Sequence, residues 1–502
     1  MMDVVGVVDI EARLERLTSQ GLLDHVSAAP EPEYEFRHAL IHDAAYASLR
    51  RQDRRRLHLR VADALERVHP ERADLAGTLA HHLMRAGSPT RALPHLISAG
   101  DQAAAIFANR EAAGHYQSAL DLVAAGAVGQ ETERARLDAM LHEKLGDLWE
   151  ALGDHTAAIA SFEAAGSAPG DGEPIRRARL WRKGGVSRLG ARELPEALAA
   201  LEHAATLMDR SPGPHAAGWW TEWVQLQLDR AWTLYFAAHT EALEDHLAAV
   251  RELIGQHGTP AQLAAFHACV SRHGILRDRG HPGDDVLSSA RTALMMGREA
   301  GDLRQLASHH FHLGLVHLLG HVLRPAIREF ERSLPLADRT DDSTVRLRCL
   351  TYLPVATRLS GDVERTAELA ARALEEARIV DARDYVGAAL GNLAWVALRR
   401  GRPDETLRLG DEAWATWESV PFRYPLRWLA VLPMMAVAVG REDWPAAVGW
   451  ARTLVEHDQY GLDRRVEMLL PAVLERWDSG REREAQDGVT ELLAMARATG
   501  HA

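Results

Sequence analysis

Five histidines crowd one short stretch, SHHFHLGLVHLLGH: His309, His310, His312, His317 and His321. On a helix, His317 and His321 share a face and His310 lies two turns before His317, a spacing that in principle offers imidazoles to a divalent metal. No carboxylate joins them at motif spacing, and the chain carries 26 histidines in all. Packed or surface imidazoles are therefore expected, and no metal site. A basic run, Arg50, Arg51, Arg54, Arg55, Arg56 and Arg60, could meet phosphates. Yet Leu57, Val61, Ala64, Leu65 and Val68 give the same stretch an apolar helical face, and Asp53, Asp63 and Glu66 dilute its charge. A solvated connector helix is the expectation.

Trp219, Trp220 and Trp223 cluster, as do Trp414 and Trp417, among 13 tryptophans. They could line a ligand groove, but aromatic residues at helical spacing usually pack a core. Lys144 and Lys183 are the only lysines among 58 lysines and arginines. One precedes a helical Leu-Gly-Asp and the other a Gly-Gly inside a repeat, and no G-x-x-x-x-G-K-[ST] exists to cradle phosphates. No Ser/His/Asp set, H-E-x-x-H or paired-carboxylate motif stands out. The chain is expected to be non-enzymatic and to need no cofactor of its own.

The elements that would position these residues follow from LGDLWEALGDHTAAIASFEAA, residues 145–165. Counting from Gly146, Trp149, Gly153, Ala158, Phe162 and Ala165 fall three, seven, twelve, sixteen and nineteen residues on. This is the tetratricopeptide pattern: two amphipathic helices meet at a tight turn, with small residues where they touch and a large ring between one hairpin and the next. The spacing recurs at Ala80, Leu83, Gly87, Ala92, Leu96 and Ala99, at Gly185, Ala197, Leu201 and Ala204, and at Gly314, Ala326, Phe330 and Ser333. Residues 219–254 and 260–297 match it only weakly. Gly361, Gly401, Gly440 and Gly480 follow one another at 40, 39 and 40 residues. Each is expected at the left-handed turn between paired helices, where glycine avoids a side-chain penalty of roughly 1 kcal/mol or more. The predicted fold is all-α, a right-handed tetratricopeptide-like superhelix of helical hairpins over 71–502.

A net charge of −13 argues against a generally basic, nucleic-acid-coating surface, and two distant cysteines, Cys269 and Cys349, exclude a disulfide framework. The N-terminal apolar run is too short and acidic for a signal peptide, and LPMMAVAVG spans half a membrane. A cytoplasmic protein with no membrane partner is expected.

Residues 1–70 differ from the repeats. Asp9 is positioned to cap a helix reaching Ser19, with Leu14 and Leu17 on its apolar face and Gly21 ending it. Strand candidates 22–26 and 34–38 follow, joined by AAPEPE, and then a long helical stretch broken near Gln52. Helix and two-stranded wing suggest the back half of a winged helix. Phe36, Arg37, His38, Leu40, Ile41, Asp43 and Tyr46, with RRRLHLRVADALE, AHHLMRAG and ALPHLISAGDQAA, resemble a junction in large bacterial signal-transduction ATPases. In that family a nucleotide-binding module precedes a winged helix and tetratricopeptide-like repeats, often attached to LuxR-type DNA-binding or adenylate cyclase domains. The resemblance covers about the first 125 residues. It implies that His38 contacts the phosphate of a nucleotide held by another module, although Ala39 stands where an acidic residue often follows.

With no phosphate loop, the chain is expected to be the sensor or scaffold part of a signalling or transcriptional regulator. Its expected partner is a protein segment, or a small inducer, on a concave face, with no direct nucleic-acid contact. Two other readings are a portion of an ATPase or cyclase whose catalytic module lies upstream or in another chain, and a cytosolic receptor for signalling peptides.

Overall fold

The computed structural model describes residues 9–27, 33–167, 174–211, 213–214, 218–420, 424–455 and 459–502. The expected links at 28–32 and 168–173, and much of SPGPHAAG, lie outside the described residues. The chain forms two compact units: one comprises Met1–Leu148 and Ser167–Asp171, the other Trp149–Gly166 and Gly172–Ala502.

The first unit opens with helix Ile10–Ser19, antiparallel strands Leu23–Ser27 and Glu33–Phe36, and helices Ala39–Ser48 and Arg51–Val68. Leu23 pairs with Phe36, and Arg37 donates from Nη2 to Asp24 at 2.7 Å. Asp9 does not cap the first helix as expected. Its own backbone is left-handed, at φ 76°, and no capping hydrogen bond forms from its side chain. Gly21, at φ 72°, does end that helix, its N–H donating to the Thr18 carbonyl. The helical stretch breaks at Leu49 and Arg50, two residues before Gln52, where both backbones are extended. From Ala76 onward helical hairpins begin, with Ala76–Ala86, Pro89–Ala105 and Asn109–Ala124 in succession. A Cβ built on Gly100 would lie 2.4 Å from the Tyr116 ring, so glycine lets these two helices close.

The second unit is built from the same hairpins. Around Trp149, the side chains of Ala158, Phe162, Ala165 and Leu180 pack as one cluster, as the repeat pattern requires. Between Leu303 and Arg399 the geometry is regular: helices Leu303–Leu319, Leu323–Arg339, Ser343–Leu359, Val363–Ile379 and Arg383–Arg399 are each 17 residues, separated by three-residue turns. Two such helices and two such turns account for the 40-residue period. In every one of these turns the middle residue is left-handed: His321, Asp341, Gly361 and Asp381, followed by Gly401 after the last helix. The third residue then caps the next helix where it is Asp342 or Asp362, whose carboxylates accept from the N–H groups of Val345 and Arg365.

Gly361, Gly401 and Gly480 occupy left-handed slots, but Gly440 does not. Helix Trp428–Gly440 continues through it, and Glu442 takes the left-handed position at φ 57°. The 39-residue interval therefore reflects a glycine two residues out of register with its turn. Residues 219–254 and 260–297, weak as repeats in sequence, fall in regular pairs: Trp219–Phe236 with Thr240–His257, and Pro260–Arg277 with Asp284–Ala300.

Candidate functional site

In the second unit the first helices of successive hairpins touch one another: Pro174–Gly190, Trp219–Phe236, Pro260–Arg277, Leu303–Leu319, Ser343–Leu359, Arg383–Arg399 and Trp428–Gly440. The second helices Thr240–His257, Asp284–Ala300, Leu323–Arg339 and Val363–Ile379 pack chiefly on their sequence neighbours. Elements that reach past one neighbour to the next lie on the shorter circumference. The first helices thus line the inner face of the curved array.

That face brings together side chains of unusual chemistry. Trp232, Tyr235 and Phe236 end one first helix, with Trp232 stacked on Tyr235 at 5.5 Å and edge-on to Phe236 at 4.6 Å. Arg272, from the next first helix, places its guanidinium carbon 4.0 Å from the Trp232 ring centre. Arg348, two hairpins further on, lies 5.4 Å from the same ring centre and 5.6 Å from that of Phe236. Tyr352 packs one turn beyond, 5.6 Å from Phe311. Arg192 reaches Phe236 and Tyr385 at 5.6 and 6.0 Å and closes an ion pair to Asp384 at 2.6 Å.

Burial governs the titration of the groups here. It pushes the Tyr235, Tyr352 and Tyr424 phenols and the Cys269 thiol upward and the Arg272 guanidinium downward. His309 is pushed down to about 4 and His312 well below its ordinary value, first by burial and then by the charge of Arg272. Both imidazoles are therefore neutral near pH 7. Trp232, Tyr235, Phe236, Arg272, Arg348, Tyr352 and Tyr385 nevertheless stay half-buried, not sealed. Tyr235, Tyr352 and Tyr385 pack against the apolar clusters of the second unit and keep part of their surface exposed.

The acidic groups nearby are already committed. Arg182 binds Glu222 at 2.5 Å and Asp229 at 2.7 Å, and Asp384 serves Arg192. Among the described residues no carboxylate pairs with Arg272 or Arg348, and neither guanidinium donates to an oxygen.

The residues singled out from sequence are placed otherwise. His309, His310, His312 and His317 are buried, with His309 packed where a Cβ on Gly297 would stand. His310 Nδ1 meets Glu329 at 2.6 Å, and Glu329 also accepts from Arg332 at 2.7 Å. Four of the five imidazoles are packed and His321 is exposed; among the described residues no group of three or more His, Cys, Asp or Glu is arranged to hold a metal. The basic run sits on helix Arg51–Val68, mostly exposed, with Ala62 and Ala64 buried against the rest of the first unit. Trp417 is fully buried, and Trp219, Trp220 and Trp223 pack on one another. Lys144 pairs with Asp101 and Lys183 lies over the Phe162 ring. His38, at the start of helix Ala39–Ser48, is exposed, and its ring makes no hydrogen bond among the described residues.

Trp232, Arg272, Arg348 and Tyr352 escaped notice in the sequence. One signal was available: Trp232, Arg272, His312 and Tyr352 stand at 40-residue intervals, the period of the repeat. Equal register in successive first helices is what a shared inner face requires.

No known family profile matches the chain. A 109-residue stretch, 22% of this chain, is 33% identical to an uncharacterized protein of Rhizobium meliloti (strain 1021), and spans 11% of that relative's length. Among solved structures, a Rap protein complexed with competence and sporulation factor superposes with a TM-score of 0.51 at 10% identity, covering 73% of this chain and 97% of that one. The likeness establishes the tetratricopeptide-like helical-repeat fold. A signal transduction ATPase with numerous domains and a tetratricopeptide repeat sensor, from Pyrococcus horikoshii, has a TM-score of 0.45 at 12% identity, covering 95% of this chain and 61% of that one.

Proposed function

We propose that the chain is a non-enzymatic helical-repeat module, the sensor or scaffold part of a signalling regulator, and that it takes a peptide segment or a small inducer on the inner face of its second unit. One observation carries the reading. Four of the first helices, Trp219–Phe236, Pro260–Arg277, Ser343–Leu359 and Arg383–Arg399, bring Trp232, Arg272, Arg348, Tyr352 and Tyr385 to the inner face, and each side chain stays half-buried. Ligand sites combine apolar walls with a few well-placed polar groups in this way. The Rap protein of the same fold was solved complexed with competence and sporulation factor, which favours a bound ligand over a purely structural role.

The test is native mass spectrometry of the full chain purified from its own cells, followed by hydrogen exchange with and without any retained species. Protection is expected in Trp219–Phe236, Pro260–Arg277 and Ser343–Leu359. Protection confined to the second helices would place binding on the outer surface and reject the reading.

His38 supports a second reading, in which the chain works beside an ATPase or cyclase module. Its exposed, unbonded imidazole is free to touch the phosphate of a nucleotide held elsewhere. A single charge-assisted hydrogen bond is worth roughly 1.5–3 kcal/mol, far short of holding a nucleotide alone. Nucleotide affinity of an added ATPase module that is unchanged by His38→Ala would remove this reading and leave the first intact.

A further inference from the structure

Two guanidiniums near one indole, with no counter-ion, are an unusual thing to build into the interior of a protein. Buried arginines are normally paired, because removing an unpaired charge from water carries a large desolvation cost. This chain follows the rule at Arg182 and Arg192 and departs from it at Arg272 and Arg348. Stacking on Trp232 returns part of that cost but leaves every N–H of both forks unsatisfied by oxygen. Neither arginine has a nitrogen among the buried polar atoms left without a partner, and the neighbour hydrogen-bonded to the Arg272 guanidinium is the Cys269 thiol, whose own titration burial pushes upward, so it brings no negative charge. The neighbouring His309 and His312 add no negative charge, and His312 carries a ring nitrogen with no partner.

We propose that Arg272 and Arg348 form the anion-binding end of the inner-face site and take a carboxylate whose apolar or aromatic body lies against Trp232, Tyr235 and Phe236. The inference rests on the inner-face reading above and narrows it to an acidic ligand. A planar guanidinium fork matches a carboxylate in two parallel hydrogen bonds, and in this low-dielectric setting each bond is stronger than at a surface. Three adjoining rings supply stacking and apolar contact, which suits an acid on a hydrophobic frame and does little for bare phosphate. The carboxylate could belong to a peptide or to a free organic acid; both present the same group to the arginines.

The full chain is titrated calorimetrically with phenylacetate and with its neutral counterpart phenylacetamide, with a short Leu-Phe peptide as free acid and as C-terminal amide, and with inorganic phosphate. The acids are expected to bind at least about tenfold more tightly than the amides, a difference of about 1.4 kcal/mol. The tighter of the two acids identifies the source of the carboxylate. Arg272→Met and Arg348→Met should abolish this preference. Each should also raise the thermal midpoint of the unliganded chain, since an apolar stem replaces an unpaired charge. Arg348→Gln, which keeps hydrogen-bonding capacity without charge, should likewise lose the preference. Equal binding of acids and amides, binding of phosphate alone, or no saturable binding of any acid at millimolar concentration overturns the proposal. So does an acid preference that survives both Met variants. Inner-face protection by a neutral native ligand, with these outcomes, would leave the broader reading standing while this one fails.

Discussion

The ring of Phe330 occupies the space that a side chain on Gly314 would need: a Cβ there would lie 2.8 Å from two of its ring carbons. Phe330 is fully buried, 5.6 Å from Phe311, within the largest apolar cluster of the second unit. Phe330→Ala is expected to cost on the order of 3–5 kcal/mol by leaving a cavity between hairpins. Because repeat arrays are stabilised by nearest neighbours, hydrogen exchange should quicken mainly across residues 305–375. Uniform quickening along the whole chain would contradict a repeat architecture.

Arg358 is the counter-case to Arg272. It is fully buried without a carboxylate, yet its guanidinium donates to the carbonyls of Leu429 at 2.8 Å and His501 at 2.5 Å, more weakly to Gly391, and lies 5.1 Å from the Trp428 ring centre. Charge-assisted bonds of this kind are worth roughly 1.5–3 kcal/mol each, so Arg358→Met should lower stability by about 3 kcal/mol or more. Urea unfolding should give opposite shifts in midpoint for Arg358→Met and Arg272→Met. The same sign for both would mean that oxygen partners do not decide the fate of a buried guanidinium here.

Buried histidines set an acid limit. His309 is held near 4 and His501 near 3, against 6.5 when unfolded, chiefly by burial. Their folded values are depressed, so the unfolded chain binds the extra protons: stability is full above about pH 6.5 and falls as pH drops toward the folded values. For His309 alone the loss by about pH 4 is on the order of 3 kcal/mol. Urea midpoints measured from about pH 7.5 down to 4.5 should fall steadily, and His309→Asn should flatten that slope. A midpoint independent of pH across this window would show that neither imidazole is neutral in the fold.

Magnesium nucleotides should give no heat with this chain. Lys144 and Lys183 are engaged by Asp101 and the Phe162 ring, and neither follows a strand and glycine loop that could cradle phosphates. A dissociation constant below about 100 μM for Mg-ATP or Mg-ADP would refute the non-enzymatic assignment.

Duplex DNA should bind weakly at about 150 mM salt, because the chain carries a net charge of −13 and its basic run is diluted by acidic neighbours. A sequence-specific nanomolar site in a gel-shift assay under those conditions would defeat this expectation.

What could be read from the sequence were features whose partners lie within one hairpin or the next. Gly314, Ala326 and Phe330 meet across neighbouring helices, and Gly361 and Gly401 answer to the backbone of a three-residue turn, so spacing alone identifies them. The same locality explains the error at Gly440. The turn needs a left-handed residue but does not insist on glycine, and His321, Asp341, Asp381 and Glu442 fill the slot elsewhere at a modest cost. The winged-helix expectation rested on element order, and the helix and paired strands found there bury little beyond Leu23.

The sequence by itself determined the hairpins, their 40-residue period and the absence of a phosphate loop, because each depends on a few residues at fixed separation. Only the tertiary structure decided which side chains share the inner face. Curvature accumulates from a small rotation at every hairpin, and it is that sum which brings Arg192 onto Asp384 across 192 residues of chain and gathers Arg272 and Arg348 around Trp232.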